Sequence, residues 1–209
     1  MILNIGGIAN ITLLPAAATA PVRGFDTGPG NGLLDDWNYR HNGTPMDRDG
    51  TWAGSGTLRE DLLQALLADA YFALPPPKSS GRDYFNLDWL QRHLDALPAL
   101  APADVQATLL QLSARSIAAA VSSAAPEATE MFVCGGGVHN PRLLQSLRGL
   151  LPGLHIAATQ ELGLDPDAVE AVTFAWLAKQ RLQGRPGNLP SVTGARDAVL
   201  LGGIYTAGP

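Results

Sequence analysis

The chain predicts an α/β fold, a mixed sheet that opens as an antiparallel meander and carries helices on both faces. Three observations predict it. Apolar runs at residues 3–5, 8–14 and 22–25 crowd the start of the chain, separated only by Gly6-Gly7 and by PAAATAP, and connections this short join antiparallel neighbours. From residue 131 onward, apolar runs alternate with helical periods, the rhythm of strand and helix in α/β proteins. With 209 residues of which 46% are hydrophobic, the chain can bury a sizeable core, and it reads as one domain over residues 1–209.

The elements follow in order. In NGLLDDWNY, residues 31–39, Leu33, Leu34 and Trp37 share one helical face, and His41-Asn42-Gly43 ends the pattern. A second helix is expected at about 58–67. The PPPKSSGRDYF stretch is a loop that leads to a short helix at about 87–94. Residues 104–122 set Val105, Leu109, Leu112, Ile117 and Val121 at helical spacing behind Pro102, an entry signal, so this is the longest buried helix expected. MFVC then makes a strand that feeds a glycine loop, followed by a helix at 141–150 and a strand at 155–158. A last helix is expected over 165–182, with Asp165 as N-cap and Pro166 near its first turn.

A net charge of −5 disfavours any general affinity for nucleic acid or anionic membrane. The single cysteine, Cys134, excludes an internal disulfide and fits a reducing cytoplasm. No apolar run approaches the roughly 20 residues that span a membrane, and the start lacks the pattern of a signal peptide. The chain enters a strand at its second residue without any preceding cap. It is therefore expected to be the downstream part of something larger.

Three stretches could carry chemistry. In LNIGGIANI, Asn4, Gly6, Gly7 and Asn10 form a turn without Cβ atoms, whose backbone could approach a phosphate; a plain hairpin explains it equally. In GFDTGPGN, Asp26 ends a strand beside a bend containing Gly28 and Gly30. A carboxylate there can take a proton from a nucleophile while leaving room for a phosphoryl donor, although aspartate also stabilises turns. In CGGGVHN, Gly135, Gly136 and Gly137 stand between strand and helix, where a nucleotide can lie against backbone. The spacing matches neither GxGxxG nor a P-loop.

Smaller signals have plainer readings. MDRDG fails the EF-hand order and reads as a turn. Lys78 and Arg82 could grip a phosphate or a carboxylate, and a solvated basic loop fits them as well. Glu170, among Ala171, Val172, Phe174 and Trp176, should have a partner or a job, because burying an unpaired carboxylate is costly. Cys134 reads as a packing residue and His139 as a loop residue.

Taken together, LNIGGIANI, GFDTGPGN, DGTWAGSG, PPPKSSGRDYFN, DVQATL, VCGGGVHNPRL and PGNLPSVTGA resemble the anhydro-N-acetylmuramic acid kinases over almost the whole chain. The resemblance implies an actin/hexokinase-like (ribonuclease H-like) lobe. It implies ATP-dependent phosphorylation of 1,6-anhydro-N-acetylmuramic acid with hydrolytic opening of the anhydro ring, in cytoplasmic peptidoglycan recycling. Asp26 would be the general base. Asn4, Gly6 and Gly7 would contact phosphate and Gly135, Gly136 and Gly137 the adenosine, with Gly28 and Asn140 also binding the nucleotide. Asp26 and Glu170 would meet the sugar. ATP and Mg2+ are the implied cofactors, with metal ligands unassigned, and full-length members are expected to be homodimers. Ser80 and Asp83 stand where the family's KSTGRE loop has threonine and glutamate. The family's amino-terminal MSGTS, GxHGQT and DFRRRD segments do not occur, so this chain is expected to be a carboxyl-terminal lobe, weakly active or inactive alone. A non-catalytic nucleotide-binding module and a kinase for another sugar are the alternatives.

Overall fold

A computed structural model describes residues 1–17 and 19–205. Five strands form one open mixed sheet in the order β3-β2-β1-β4-β5. β1 (Ile2–Ile5), β2 (Ile8–Leu13) and β3 (Arg23–Pro29) make the antiparallel meander. β4 (Glu130–Cys134) and β5 (His155–Ala158) extend it in parallel on the other side of β1. β3 also runs parallel to β1, being two antiparallel steps away. The carboxyl ends of β1, β3, β4 and β5 therefore share one edge of the sheet.

Alternation decides the two faces. Leu3, Ile5, Ala9, Ile11 and Leu13 are buried, whereas Ile2, Asn4, Ile8, Asn10 and Thr12 are half-buried on the opposite face. The buried face packs on α5 (Pro102–Ala124), where Pro102 opens the first turn and Val105, Leu109, Leu112, Ile117 and Val121 are buried. α6 (Pro141–Leu150) packs on α5 in turn. α1 (Gly32–Asn42) buries Leu33, Leu34 and Trp37 and ends at Gly43, whose φ of 68° suits glycine. α2 (Glu60–Leu67), the short α3 (Ala70–Ala73) and α4 (Leu87–Leu94) complete the packed part. The α/β class, the meander and the long buried helix all stand as the sequence predicts.

Two boundaries differ. β3 does not stop at residue 25 but runs through the glycine- and proline-rich stretch to Pro29, so Asp26 lies within a strand rather than at its end. Pairing with β2 carries it through, with a register shift at Ala9/Asn10 and with Gly28 at φ 144°, a conformation open to glycine. α7 (Val169–Leu182) begins four residues later than expected, and Asp165 is not its N-cap. The Asp165 side chain instead accepts the Asp167 amide at 2.9 Å, a local turn that competes with helix, and the Pro166 carbonyl accepts the Gly135 amide at 3.1 Å. α8 (Pro190–Thr193) follows and lies against β3.

Candidate functional site

Strand register brings the polar residues of the meander into one line. Asp26 pairs with Asn10, Asn10 with Asn4, and Asn4 with Cys134, which immediately precedes the glycine loop. Directly paired residues point to the same face with Cβ atoms about 5 Å apart. Asp26, Asn10 and Asn4 thus form a polar row across three strands, on the half-buried face.

The Asp26 carboxylate is held from one side. Its Oδ2 accepts the Ser79 hydroxyl at 2.9 Å and the Ser80 amide at 2.8 Å, whereas Oδ1 accepts no hydrogen bond among the described residues. Its backbone is clamped as well: its amide donates to the Lys78 carbonyl at 3.0 Å, and its carbonyl accepts the Tyr71 hydroxyl at 2.8 Å. Burial, then the Asp26 charge, pushes the Tyr71 hydroxyl above its ordinary value, so it remains a donor. One carboxylate oxygen is anchored and the other is without a hydrogen bond among the described residues. A recess of about 330 Å³ opens here, lined by Asn10, Asp26, Lys78, Ser79, Thr193 and Gly194 among others.

Three glycine-containing loops converge beside this row. The Gly6 carbonyl accepts the Asn31 amide at 2.8 Å, and the Gly7 carbonyl accepts the amides of Gly30 and Gly32, both at 3.0 Å. The β1–β2 turn thereby caps the amino end of α1. Asn31 also donates from Nδ2 to the Ile5 carbonyl at 3.4 Å. Close approach explains several glycines: a Cβ on Gly30 would stand 2.4 Å from the Gly6 carbonyl oxygen, on Gly135 2.4 Å from Asn4 Oδ1, and on Gly137 2.3 Å from Ile5. Gly28 lies against Phe72 and Ser116. Gly6 and Gly136 differ, since a Cβ there would meet nothing nearer than 3.7 and 3.6 Å. A methyl group at either position would make only ordinary contacts.

The remaining candidates separate by surroundings. Asn140 accepts the Leu143 amide at 3.1 Å and so caps α6, which ties it to the end of the glycine loop. The Lys78 ammonium donates to the carbonyls of Tyr71 and Phe72 and lies over the Tyr71 ring, and burial lowers its pKa. It braces the loop. Arg82 lays its stem across Gly7 and pairs with Asp36 at 2.6 Å. His139 pairs with Asp167 at 2.9 Å, joining the glycine loop to the turn before α7. Cys134 is buried, and burial raises its thiol pKa. MDRDG forms a turn, with Asp47 accepting the Trp52 and Ala53 amides. Glu170 is exposed in the first turn of α7 and has neither hydrogen bond nor ion pair among the described residues; the structure does not bring it into the polar row.

Sequence reasoning missed the supports of Asp26. Ser79 and Ser80 sit inside KSSGRDYF beside more conspicuous charged residues, and no local pattern connects them to a carboxylate 53 and 54 residues earlier. Tyr71 belongs to an aromatic cluster with Phe72, Tyr84, Phe85 and Trp89. Asp69 orders it by accepting the Tyr71 amide, the Tyr84 hydroxyl and the Trp89 indole at 2.8–2.9 Å. Burial opposes its ionisation, yet these donors together hold the carboxyl below its ordinary value.

The chain is similar to known proteins over nearly its whole length. The model of a family described as "Anhydro-N-acetylmuramic acid kinase" matches residues 1–207. Curated proteins of that name are similar over 206 residues, 99% of this chain: 52% identical in Xylella fastidiosa (strain Temecula1) and 55% in Xanthomonas axonopodis pv. citri (strain 306). The alignments cover 53% and 54% of those relatives, so the chain spans about half their length. With the match running through every motif of the site, the chain belongs to the anhydro-N-acetylmuramic acid kinase family.

Proposed function

We propose that residues 1–209 form one lobe of a sugar kinase that carries the general base and one side of the nucleotide site. The reaction is the phosphorylation of 1,6-anhydro-N-acetylmuramic acid by ATP, with water opening the anhydro ring, to give N-acetylmuramic acid 6-phosphate and ADP. The observation that carries this reading is the row Asp26–Asn10–Asn4, which ends at the glycine loop after β4. It aligns a half-anchored carboxylate with backbone able to approach a nucleotide.

In this reading Asp26 Oδ1 takes a proton from the water that attacks the anomeric carbon, while Ser79 and Ser80 keep the carboxylate oriented through Oδ2. The anhydro bond breaks, and the oxygen released on carbon six attacks the γ-phosphate as ADP leaves. Phosphoryl transfer asks mainly for positioning and charge neutralisation. The backbone at Gly6 and Gly136, uncrowded by close neighbours, fits a phosphate chain and an adenosine. Magnesium, when bound, neutralises phosphate charge. Substrate phosphates and water would supply most of its ligands.

A product assay tests the proposal, following N-acetylmuramic acid 6-phosphate from MgATP and the anhydro sugar. The 209-residue chain is assayed alone and joined to the remaining part of a relative. Turnover by the joined protein, lost in Asp26→Asn, is expected. Asp26→Asn with undiminished turnover overturns the base assignment. Turnover of N-acetylglucosamine in preference to the anhydro sugar overturns the substrate.

A further inference from the structure

The loop that holds Asp26 brings two cations to the site, and the structure uses them differently. The Lys78 ammonium is committed: it donates to the Tyr71 and Phe72 carbonyls at 3.0 and 3.3 Å and lies over the Tyr71 ring. Arg82 is not committed. Its side chain is 59% exposed, and of the fork of N–H donors that a guanidinium offers, only Nη2 has a partner among the described residues, Asp36 Oδ1 at 2.6 Å. An exposed ion pair of this kind is worth little, so a stronger anion can displace Asp36.

Packing sets where the spare donors lie. The root of the side chain is fixed, because the Gly81 carbonyl accepts the amides of Tyr84 and Phe85 at 3.1 and 3.0 Å and Phe85 is buried. The stem rests on Gly7, where a Cβ would stand 3.0 Å from Arg82 Cδ and 3.9 Å from Nε. The guanidinium is thus beside the β1–β2 turn. The same loop grips Asp26 Oδ2 through Ser79 and Ser80, and two residues of chain span at most about 7 Å, so the Arg82 backbone lies close to that grip.

We propose that Arg82 is a further catalytic residue, whose guanidinium exchanges Asp36 for the γ-phosphate of ATP bound at the Gly6–Gly7 turn. This rests on the kinase reading above. The carbon-six oxygen forms its bond to phosphorus, and the bond from phosphorus to the ADP oxygen breaks with its electron pair. Arg82 keeps its protons throughout and neutralises charge on the transferring oxygens through paired N–H···O bonds. Arg82 does not line the recess beside Asp26, which favours a phosphate over the sugar's carboxylate as its anion.

The test compares Arg82→Ala with Asp36→Asn in the joined protein, and titrates ATP and ADP into the 209-residue chain. For Arg82→Ala, kcat should fall about 10²–10³-fold with KM for the anhydro sugar unchanged, added guanidinium ion should restore part of it, and ATP but not ADP should bind about 10-fold more weakly. Asp36→Asn removes the same ion pair and should leave turnover unchanged; equal melting temperatures show that both variants fold. An equal loss in both variants without rescue makes the pair structural and overturns the proposal. A loss confined to KM for the sugar also overturns it, assigning the guanidinium to the substrate carboxylate. If the joined parent does not turn over but the chain binds ATP, the kinase reading fails separately, and an ATP-to-ADP affinity ratio unchanged by Arg82→Ala overturns the Arg82 contact. A chain that binds neither nucleotide overturns both.

Discussion

Burial, then the neighbouring Asp36 charge, pushes the Asp35 carboxyl up to about 6, with Arg82 opposing and Asp47 adding to the shift. A raised folded-state pKa means that the folded protein holds this proton more tightly than the unfolded chain does. The associated stability is present below the ordinary carboxylate range and is lost as pH rises through about 6. Asp35→Asn should therefore raise the melting temperature at pH 7.5 and leave it nearly unchanged at pH 4. Melts of both proteins at the two pH values check this, and equal shifts at both would contradict it. Asp26 teaches the complementary lesson. Its residue type and glycine-rich neighbours marked it in the sequence, but Ser79, Ser80 and Tyr71 were illegible as its partners. They reach it only because the aromatic cluster around Phe85 folds that loop back onto β3.

At the scale of elements, the glycines of the converging loops divide by what lies above them. Gly30→Ala would drive a methyl into the Gly6 carbonyl at 2.4 Å, and backbone on both sides leaves little room to yield. That substitution should lower stability by about 1–3 kcal/mol. Gly136→Ala meets nothing within 3.5 Å and should fold as the parent does, losing nucleotide affinity instead. Urea unfolding and nucleotide titration of the two variants separate these roles; a Gly136→Ala chain that binds nucleotide like the parent would remove that position from the site. The strands and the longer helices were legible here because each apolar run has a clear period, whereas the four-residue α3 and α8 carry none and were not anticipated. The extent of β3 and the start of α7 were not legible either. The bend signals at Gly28 and Pro29 were overridden by strand pairing with β2, and the helix-start signals at Asp165 and Pro166 by an aspartate turn that holds both outside the helix.

For the whole molecule, burial separates two phenylalanines that the sequence makes alike. Phe85, 1% exposed at the centre of the aromatic cluster, should cost about 3–5 kcal/mol when changed to alanine. Phe174 on α7 is 66% exposed, and Phe174→Ala should change stability of the 209-residue chain by less than about 0.5 kcal/mol. Comparable losses in denaturant unfolding would show that α7 is packed after all. The sequence by itself determined the α/β class, the meander, the long buried helix and the family, because these rest on periodicity and ordered motifs written locally along the chain. Only the tertiary structure decided that Asp26, Asn10 and Asn4 share a row, that one oxygen of Asp26 is anchored, and that α7 lies uncovered. Each of these depends on register, loop closure or packing between residues far apart in sequence, and no local pattern records which distant surfaces will meet.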